Sequence, residues 1–300
     1  MKKPNYRILI IMAFFAIYVI WGSTYLLNKI LVTELPPLFL ASIRFVIAGV
    51  IIFIIAWFLK YDLRISKRQF INTLIAGFLF LVYGNGVFVW ALQYVDSGFG
   101  ALLASTQPLF VLFLMKLMYG QKILPKAILG VFFGVFGMIL LVNQQGLSFN
   151  ENSLVGIIMI FSCILCWSYA SVFVSKHELP VNQFVSAAYQ MLSAGILLLL
   201  ASLLFGETWI APDQWSSSAK VSMLLLIVFG SIVAFTSFNY LLKVVPPEKV
   251  ATSAYVNPVI ALILGWYVLD EKISLQSIIA AVILLTGVYF INRKKRLFKK

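Results

Sequence analysis

Two amide–proline pairs, Gln107-Pro108 and Asn257-Pro258, interrupt apolar runs of this chain. Proline inside a helix removes one backbone hydrogen bond and crowds the turn before it, a loss of about 3 kcal/mol in a soluble helix. Within a bilayer the freed backbone groups are tolerated only where protein or a water-filled cavity satisfies them. The two pairs are matched. Residues 101–123, "ALLASTQPLFVLFLMKLMYGQKI", align with residues 251–273, "ATSAYVNPVIALILGWYVLDEKI", at an offset of 150. That offset superposes Ala101, Ala104, Pro108, Leu112, Leu114, Lys122 and Ile123 on Ala251, Ala254, Pro258, Leu262, Leu264, Lys272 and Ile273. Two readings stay open: the pairs line a pathway, or they only kink helices for packing. Broken helices at matching places in two halves favour the pathway.

Arg44 is the one formally charged residue deep in an apolar run. An ionisable group there is expensive unless paired or hydrated, and so raises a functional question by default. Its guanidinium suits bidentate grip of a substrate carboxylate. The alternative is structural, with Arg44 capping carbonyls of a neighbouring broken helix. The structural reading is the favoured one here, because the residue 146 positions later is the neutral Gln190. Further pocket candidates are Trp21, Tyr25, Asn85, Trp90, Trp167, Tyr169, Asn239 and Tyr255. Aromatic rings offer broad apolar surface and amides fix orientation, as a concave small-molecule site requires. Each has a plainer reading as an interface anchor or packing residue. Glycines flank Asn85 in "YGNG", which permits either close helix packing or backbone approach to a ligand.

Other chemistries are poorly served. The ten acids fall in loops or at the ends of apolar runs, so no carboxylate is set in the membrane for a proton relay. His177, between Lys176 and Glu178, reads as a loop residue. Cys163 and Cys166 form "CILC" without basic or metal-ligating neighbours and read as small buried hydrophobes. No HExxH, GxSxG or P-loop pattern occurs, and no metal site or cofactor is expected. A membrane-embedded enzyme remains the weaker alternative.

The elements that carry these residues must lie in a bilayer. Of 300 residues 62% are hydrophobic and 11% charged, with mean hydropathy +1.00. Soluble domains hold about 45–50% apolar and 25% charged residues. A hydrocarbon core about 30 Å thick requires about 20 helical residues. Runs of that length fall at 8–31, 37–59, 70–93, 97–118, 124–142, 153–174, 181–205, 220–242, 248–269 and 274–292. The first exceeds the apolar part of a cleavable signal peptide and reads as a span. None alternates as barrel strands do, so the expected fold is all-α with ten transmembrane helices.

Net charge is +13, which in a soluble protein would suggest nucleic acid. Here basic residues cluster between apolar runs and set orientation. With the N-terminus cytoplasmic, nineteen Lys and Arg fall inside, including the tail "RKKRLFKK", and three fall outside: Lys29, Lys220 and Lys272. Both termini are therefore expected in the cytoplasm. The tail has two readings, a topology signal or a contact for anionic lipid; the first is favoured.

The duplication extends further. Phe88, Trp90, Leu92 and Val95 fall opposite Phe238, Tyr240, Leu242 and Val245, and Gly137 opposite Gly287. At an offset of 146, Trp21 pairs with Trp167, and "AG" at 48–49 with "AG" at 194–195. Five spans per half is an odd number, so the halves, 8–142 and 153–292, enter the membrane from opposite faces, with 293–300 left as a basic cytoplasmic tail. Inverted repeats open a central site to alternate sides.

"WGSTYLLNK", "ELPPLFLASIRFVIAG", "YGNGVFVWALQYVDSG", "ALLASTQPLF", "CWSYASVFVSKHELPV" and "ATSAYVNPVIALILGWYVLDEKI" together resemble the EamA-type family of the drug/metabolite transporter superfamily, and within it the YedA-like permeases. The resemblance implies a multipass permease of the bacterial plasma membrane that exports amino acids, related metabolites or toxic compounds. It implies a cavity lined by spans one, three, four, six, eight and nine, with a small-molecule substrate and the lipid bilayer as partners and no nucleic acid. An importer is the alternative within transport. One departure is "YGQKI", where Gln121 stands in place of the glutamate of "LDEKI". Substrate, direction, coupling and oligomeric state are not legible in these residues.

Overall fold

A computed structural model describes residues 6–95, 100, 103–143, 153–269 and 274–292. Lys2, Lys3, Asp96, Ala101, the stretch 144–152, Asp270, Glu271, Lys272, Ile273 and the tail 293–300 lie outside the described residues. Helices account for the apolar runs: α1 Tyr6–Val32, α2 Pro37–Phe58, α3 Lys67–Ala91, α4 Gln107–Tyr119, α5 Pro125–Asn143, α6 Ser153–Lys176, α7 Gln183–Leu204, α8 Ser217–Val244, α9 Ser253–Leu269 and α10 Leu275–Asn292. Among the described residues six of these, α1, α2, α3, α6, α7 and α8, are long and apolar enough to cross a membrane. The protein is all-helical and membrane-embedded.

Side chains such as Trp57, Phe58, Phe132, Ile196 and Val282 stand exposed around the bundle, where lipid replaces water as the solvent. Helix ends are closed by polar groups that the apolar spans lack. The Glu207 carboxylate accepts from the backbone N–H of Leu38 at 3.0 Å and Phe39 at 2.8 Å, capping α2. Glu34 accepts from the Ser216 backbone N–H and hydroxyl at the start of α8. Asn182 caps α7, and Ser66 with Gln69 forms a capping box on α3.

Two antiparallel pairs dominate the packing, α2 with α7 and α5 with α10. Small residues bring each pair together. A Cβ on Gly49 would lie 2.8 Å from Leu192 Cγ, and one on Gly195 would lie 2.7 Å from Val46 Cγ2. Residues 46 and 192, like 49 and 195, are 146 apart, so the α2–α7 crossing is self-complementary. At α5–α10 a Cβ on Gly130 would meet the Gly287 carbonyl at 2.7 Å, and one on Gly137 the Ala280 carbonyl at 3.0 Å. There 130 and 280, and 137 and 287, are 150 apart. Elsewhere α1 packs on α8 and α9, while α6 packs on α3 and α4.

Three helices are widened by π turns, at Ala16–Ile20 in α1, Phe78–Val87 in α3 and Leu226–Phe235 in α8. The spans expected at 97–118 and 248–269 are not continuous. Turns at Ser105–Thr106 and Ala251–Thr252 precede α4 and α9. Pro108 falls in the first turn of α4, where its missing N–H has no intrahelical partner to lose. Pro258 lies inside α9. There it deprives the Ala254 carbonyl of its helical donor four residues on.

Candidate functional site

A cavity opens among the helices. Four of its walls present residues at helical spacing. From α1 come Trp21, Thr24, Tyr25 and Asn28, and from α3 Leu81, Gly84, Asn85 and Phe88, both at i, i+3, i+4 and i+7. Cys163, Ile164 and Trp167 come from α6, and Ser253, Ala254 and Asn257 from α9. Gly230 and Phe235 of α8, Arg44 and Phe45 of α2, and Ala104 and Gln107 at the start of α4 complete the lining. Aromatic rings and amides make up half of the wall. Among the described residues no Asp, Glu or His borders it, and no group of His, Cys, Asp or Glu is arranged for a metal ion.

The two tryptophans meet. Trp21 and Trp167 lie edge to face with ring centroids 5.8 Å apart, and both pack on Phe238, at 4.9 and 5.7 Å. Phe80 adds an edge-on contact to Trp167 at 5.0 Å. The seats of these rings are glycines. Trp21 Nε1 donates to the Gly230 carbonyl at 3.2 Å, and a Cβ on Gly84 would lie 2.9 Å from Trp167 Cε3. Positions 21 and 167, and 84 and 230, share the offset of 146. Both glycines sit in π segments, where the wider turn displaces backbone toward the site.

Asn257 joins α9 to the π turn of α1. Its amide end lies 3.0 Å from the carbonyl oxygen of Ser253 and 3.1 Å from those of Ile17 and Tyr18, so the nitrogen, as the donor, is assigned to that side. The Tyr25 hydroxyl hydrogen-bonds to the same side chain. Nearby, Tyr18 and Thr252 share a hydroxyl–hydroxyl bond of 2.8 Å. The amide–proline pair therefore has two tasks beside the cavity: Asn257 satisfies carbonyls of an irregular helix, and Pro258 frees the carbonyl of lining residue Ala254.

Arg44 is 4% exposed and borders the cavity, although the second span is not among those the resemblance implies as lining. Its Nε donates to Ser231 Oγ at 2.8 Å, and its Nη1 lies 3.5 Å from Asn28 Oδ1. α2 packs on α7 and on the π segment of α8, and Gly230 leaves room for the guanidinium, since a Cβ there would lie 3.2 Å from Nη2.

Of the residues singled out in the sequence, the fold brings Trp21, Tyr25, Arg44, Asn85, Gln107, Trp167 and Asn257 to one cavity. It sets others apart. Trp90 packs edge-on against Phe205 at 5.3 Å. Tyr169 is exposed on the outer face of α6. Asn239 is fully buried, accepting from Gln190 Nε2 at 2.9 Å and donating to the Phe235 carbonyl at 3.0 Å. Tyr255 is fully buried against Gly134, where a Cβ would stand 2.1 Å from its Cζ. Pro108 and Pro258 are buried beside the lining without belonging to it. Thr24, Asn28, Phe45, Phe88 and Ser253 escaped notice. Asn28 was within reach, since it continues the Trp21–Tyr25 face by one turn.

The EamA-like transporter family model matches residues 8–143 and again 154–293. The chain is 36% identical over 288 residues to the uncharacterized inner membrane transporter YedA of Escherichia coli (strain K12), covering 95% of this chain and 91% of that one. It is 24% identical over 280 residues to the uncharacterized transporter YoaV of Bacillus subtilis (strain 168), covering 93% and 95%. A solved crystal structure superposes with a TM-score of 0.75 at 19% identity, covering 93% of this chain and 95% of that chain, a likeness of fold. All-helical architecture, apolar spans and an internal cavity define a membrane protein with a cavity among its helices. The chain belongs to the EamA-like transporter family and is a multipass protein of the bacterial inner membrane.

Proposed function

We propose that this transporter exports small amphiphilic metabolites, amino acids or related compounds, or toxic compounds, by alternating access. Substrate sits in the cavity, with its apolar body against Trp21, Trp167 and Phe88 and its polar groups on Asn85, Gln107 and Asn257. The carrying observation is that the lining draws on both halves of the chain, with Trp21 and Trp167 as counterparts.

Ten spans form two inverted five-helix repeats, 8–142 and 153–292, with both termini in the cytoplasm. Packing supports this organisation. Exchanging each helix with the one five places along converts the contacts of α1 with α8 and α9 into those of α6 with α3 and α4, and returns α2–α7 and α5–α10 to themselves. Rocking one repeat against the other then changes which face of the membrane reaches the cavity.

The test is flux in everted membrane vesicles with and without the protein, using isotope-labelled amino acids and a panel of toxic amphiphiles. Faster entry of at least one compound into the vesicles that carry the protein is expected. Identical entry across the panel would reject export of these classes.

A further inference from the structure

We infer that Arg44 is an anion seat, and that the compound carried in the cavity bears a carboxylate which this guanidinium holds. The inference rests on the cavity being the substrate chamber and adds the chemical class of the ligand.

Arg44 is buried but faces empty space. A guanidinium has five N–H donors. Ser231 takes the Nε proton, and Asn28 offers a long contact to Nη1. Both partners are neutral. Among the described residues no carboxylate lies within ion-pair distance of Arg44, whereas Arg68 and Glu178 pair near the helix ends. A buried charge without a counter-ion is costly in the membrane unless water or a ligand compensates it.

The other half of the chain supplies a control. Gln190, 146 positions on, is fully buried and absent from the lining; its Nε2 donates to Ser186 Oγ at 3.1 Å and to Asn239 Oδ1 at 2.9 Å. That amide braces helices. Arg44 instead gives the cavity one cationic wall with no acid opposite. The rest of the described lining is uncharged, with the rings of Trp21, Tyr25, Phe88 and Trp167 beside amides and small side chains. A planar carboxylate can take two parallel N–H bonds from a guanidinium, which gives direction as well as attraction. Asn85 Oδ1, a buried acceptor without a partner, adds a seat for a donor on the same ligand.

Three probes with one ring and different heads test this: phenylacetate, phenylacetamide and 2-phenylethylamine. Binding to the purified full-length protein in detergent is measured by titration calorimetry. Phenylacetate should bind at least about tenfold more tightly than the other two, roughly 1.4 kcal/mol. In Arg44→Gln that preference should vanish, with phenylacetate affinity falling to about that of phenylacetamide in the same variant. Asn28→Asp covers the case in which Arg44→Gln does not fold. It is nearly isosteric and sets an internal carboxylate beside Nη1, so phenylacetate affinity should again fall about tenfold without loss of thermal stability. A purely bracing arginine predicts an unchanged ranking in both variants. Equal affinities in the wild type, no binding of any probe at about 10 mM, or a preference that survives in a folded variant would overturn the inference. Vesicle flux separates this from the transport reading. A protein that moves labelled compounds yet ignores the head group lacks the anion seat, whereas one that prefers phenylacetate yet moves nothing is not an exporter.

Discussion

The α2–α7 crossing is where one added methyl group should be felt most directly. A Cβ on Gly195 would lie 2.7 Å from Val46 Cγ2 and 2.8 Å from the Val46 backbone nitrogen. One on Gly49 would lie 2.8 Å from Leu192 Cγ and 3.0 Å from the Leu192 nitrogen. Non-bonded carbon contacts settle at about 3.5–4.0 Å, so each methyl group is short of room by roughly 0.5–1 Å. Because a backbone atom is among the neighbours, no rotamer change relieves the clash, and the two helices must part. Overpacking of this kind costs about 1–3 kcal/mol. Helix propensity returns at most about 1 kcal/mol for Gly→Ala. The expected net loss is about 0–2 kcal/mol for Gly195→Ala, and about 2–3 kcal/mol for Gly195→Val, which adds more bulk to the same gap. Reversible unfolding in mixed micelles, titrated with a denaturing detergent and followed by circular dichroism, measures both. Once the helices have parted for one methyl group the second enters the same space. Gly49→Ala with Gly195→Ala should therefore lose less than the sum of the single changes, by about 0.5 kcal/mol or more. A Gly195→Val protein as stable as the wild type, or strict additivity in the double variant, would refute a shared close crossing.

Trp21→Ala or Trp167→Ala should raise the substrate concentration for half-maximal flux about tenfold, while Trp90→Ala should leave it unchanged, because Trp90 packs on Phe205 away from the cavity; equal effects in a transport assay would remove the tryptophan pair from the site. Asn257→Leu removes the two amide N–H donors shared among the Ser253, Ile17 and Tyr18 carbonyls and should lower unfolding free energy by about 1–3 kcal/mol per donor lost, read in the same detergent titration. For topology, Asn150→Cys should react with a membrane-impermeant maleimide on intact cells; labelling only after permeabilisation would invert the proposed orientation.

Several site residues were legible because their signal survives without a fold. Arg44 is conspicuous as a charge in an apolar run, and Trp21 with Trp167 as rare residues at a fixed offset. Asn257 was flagged by the proline beside it. The same logic overreached with Tyr169, Asn239 and Tyr255, each of a suitable type on a suitable helix. In a soluble helix the polar face marks the side away from the core. An apolar span in lipid has no such mark, since its lipid face and its packed face are equally greasy. Only the partner helix decides which is which.

The chain's composition by itself determines that it is helical and lives in a bilayer, because nothing else accommodates 62% hydrophobic residues in runs of span length. Repeated glycines and tryptophans likewise announce which surfaces correspond between halves. Tertiary structure decided the rotation of each helix. A π turn inserts an extra residue, and one residue is about 100° of helical rotation, so the turns in α1, α3 and α8 re-aim everything beyond them by an amount that no periodicity reveals. The same holds for α2. Its place beside the cavity follows from Gly49 packing on Leu192 and Gly195 on Val46 across the crossing, and from Gly230 leaving space for a guanidinium, contacts between residues far apart in the chain.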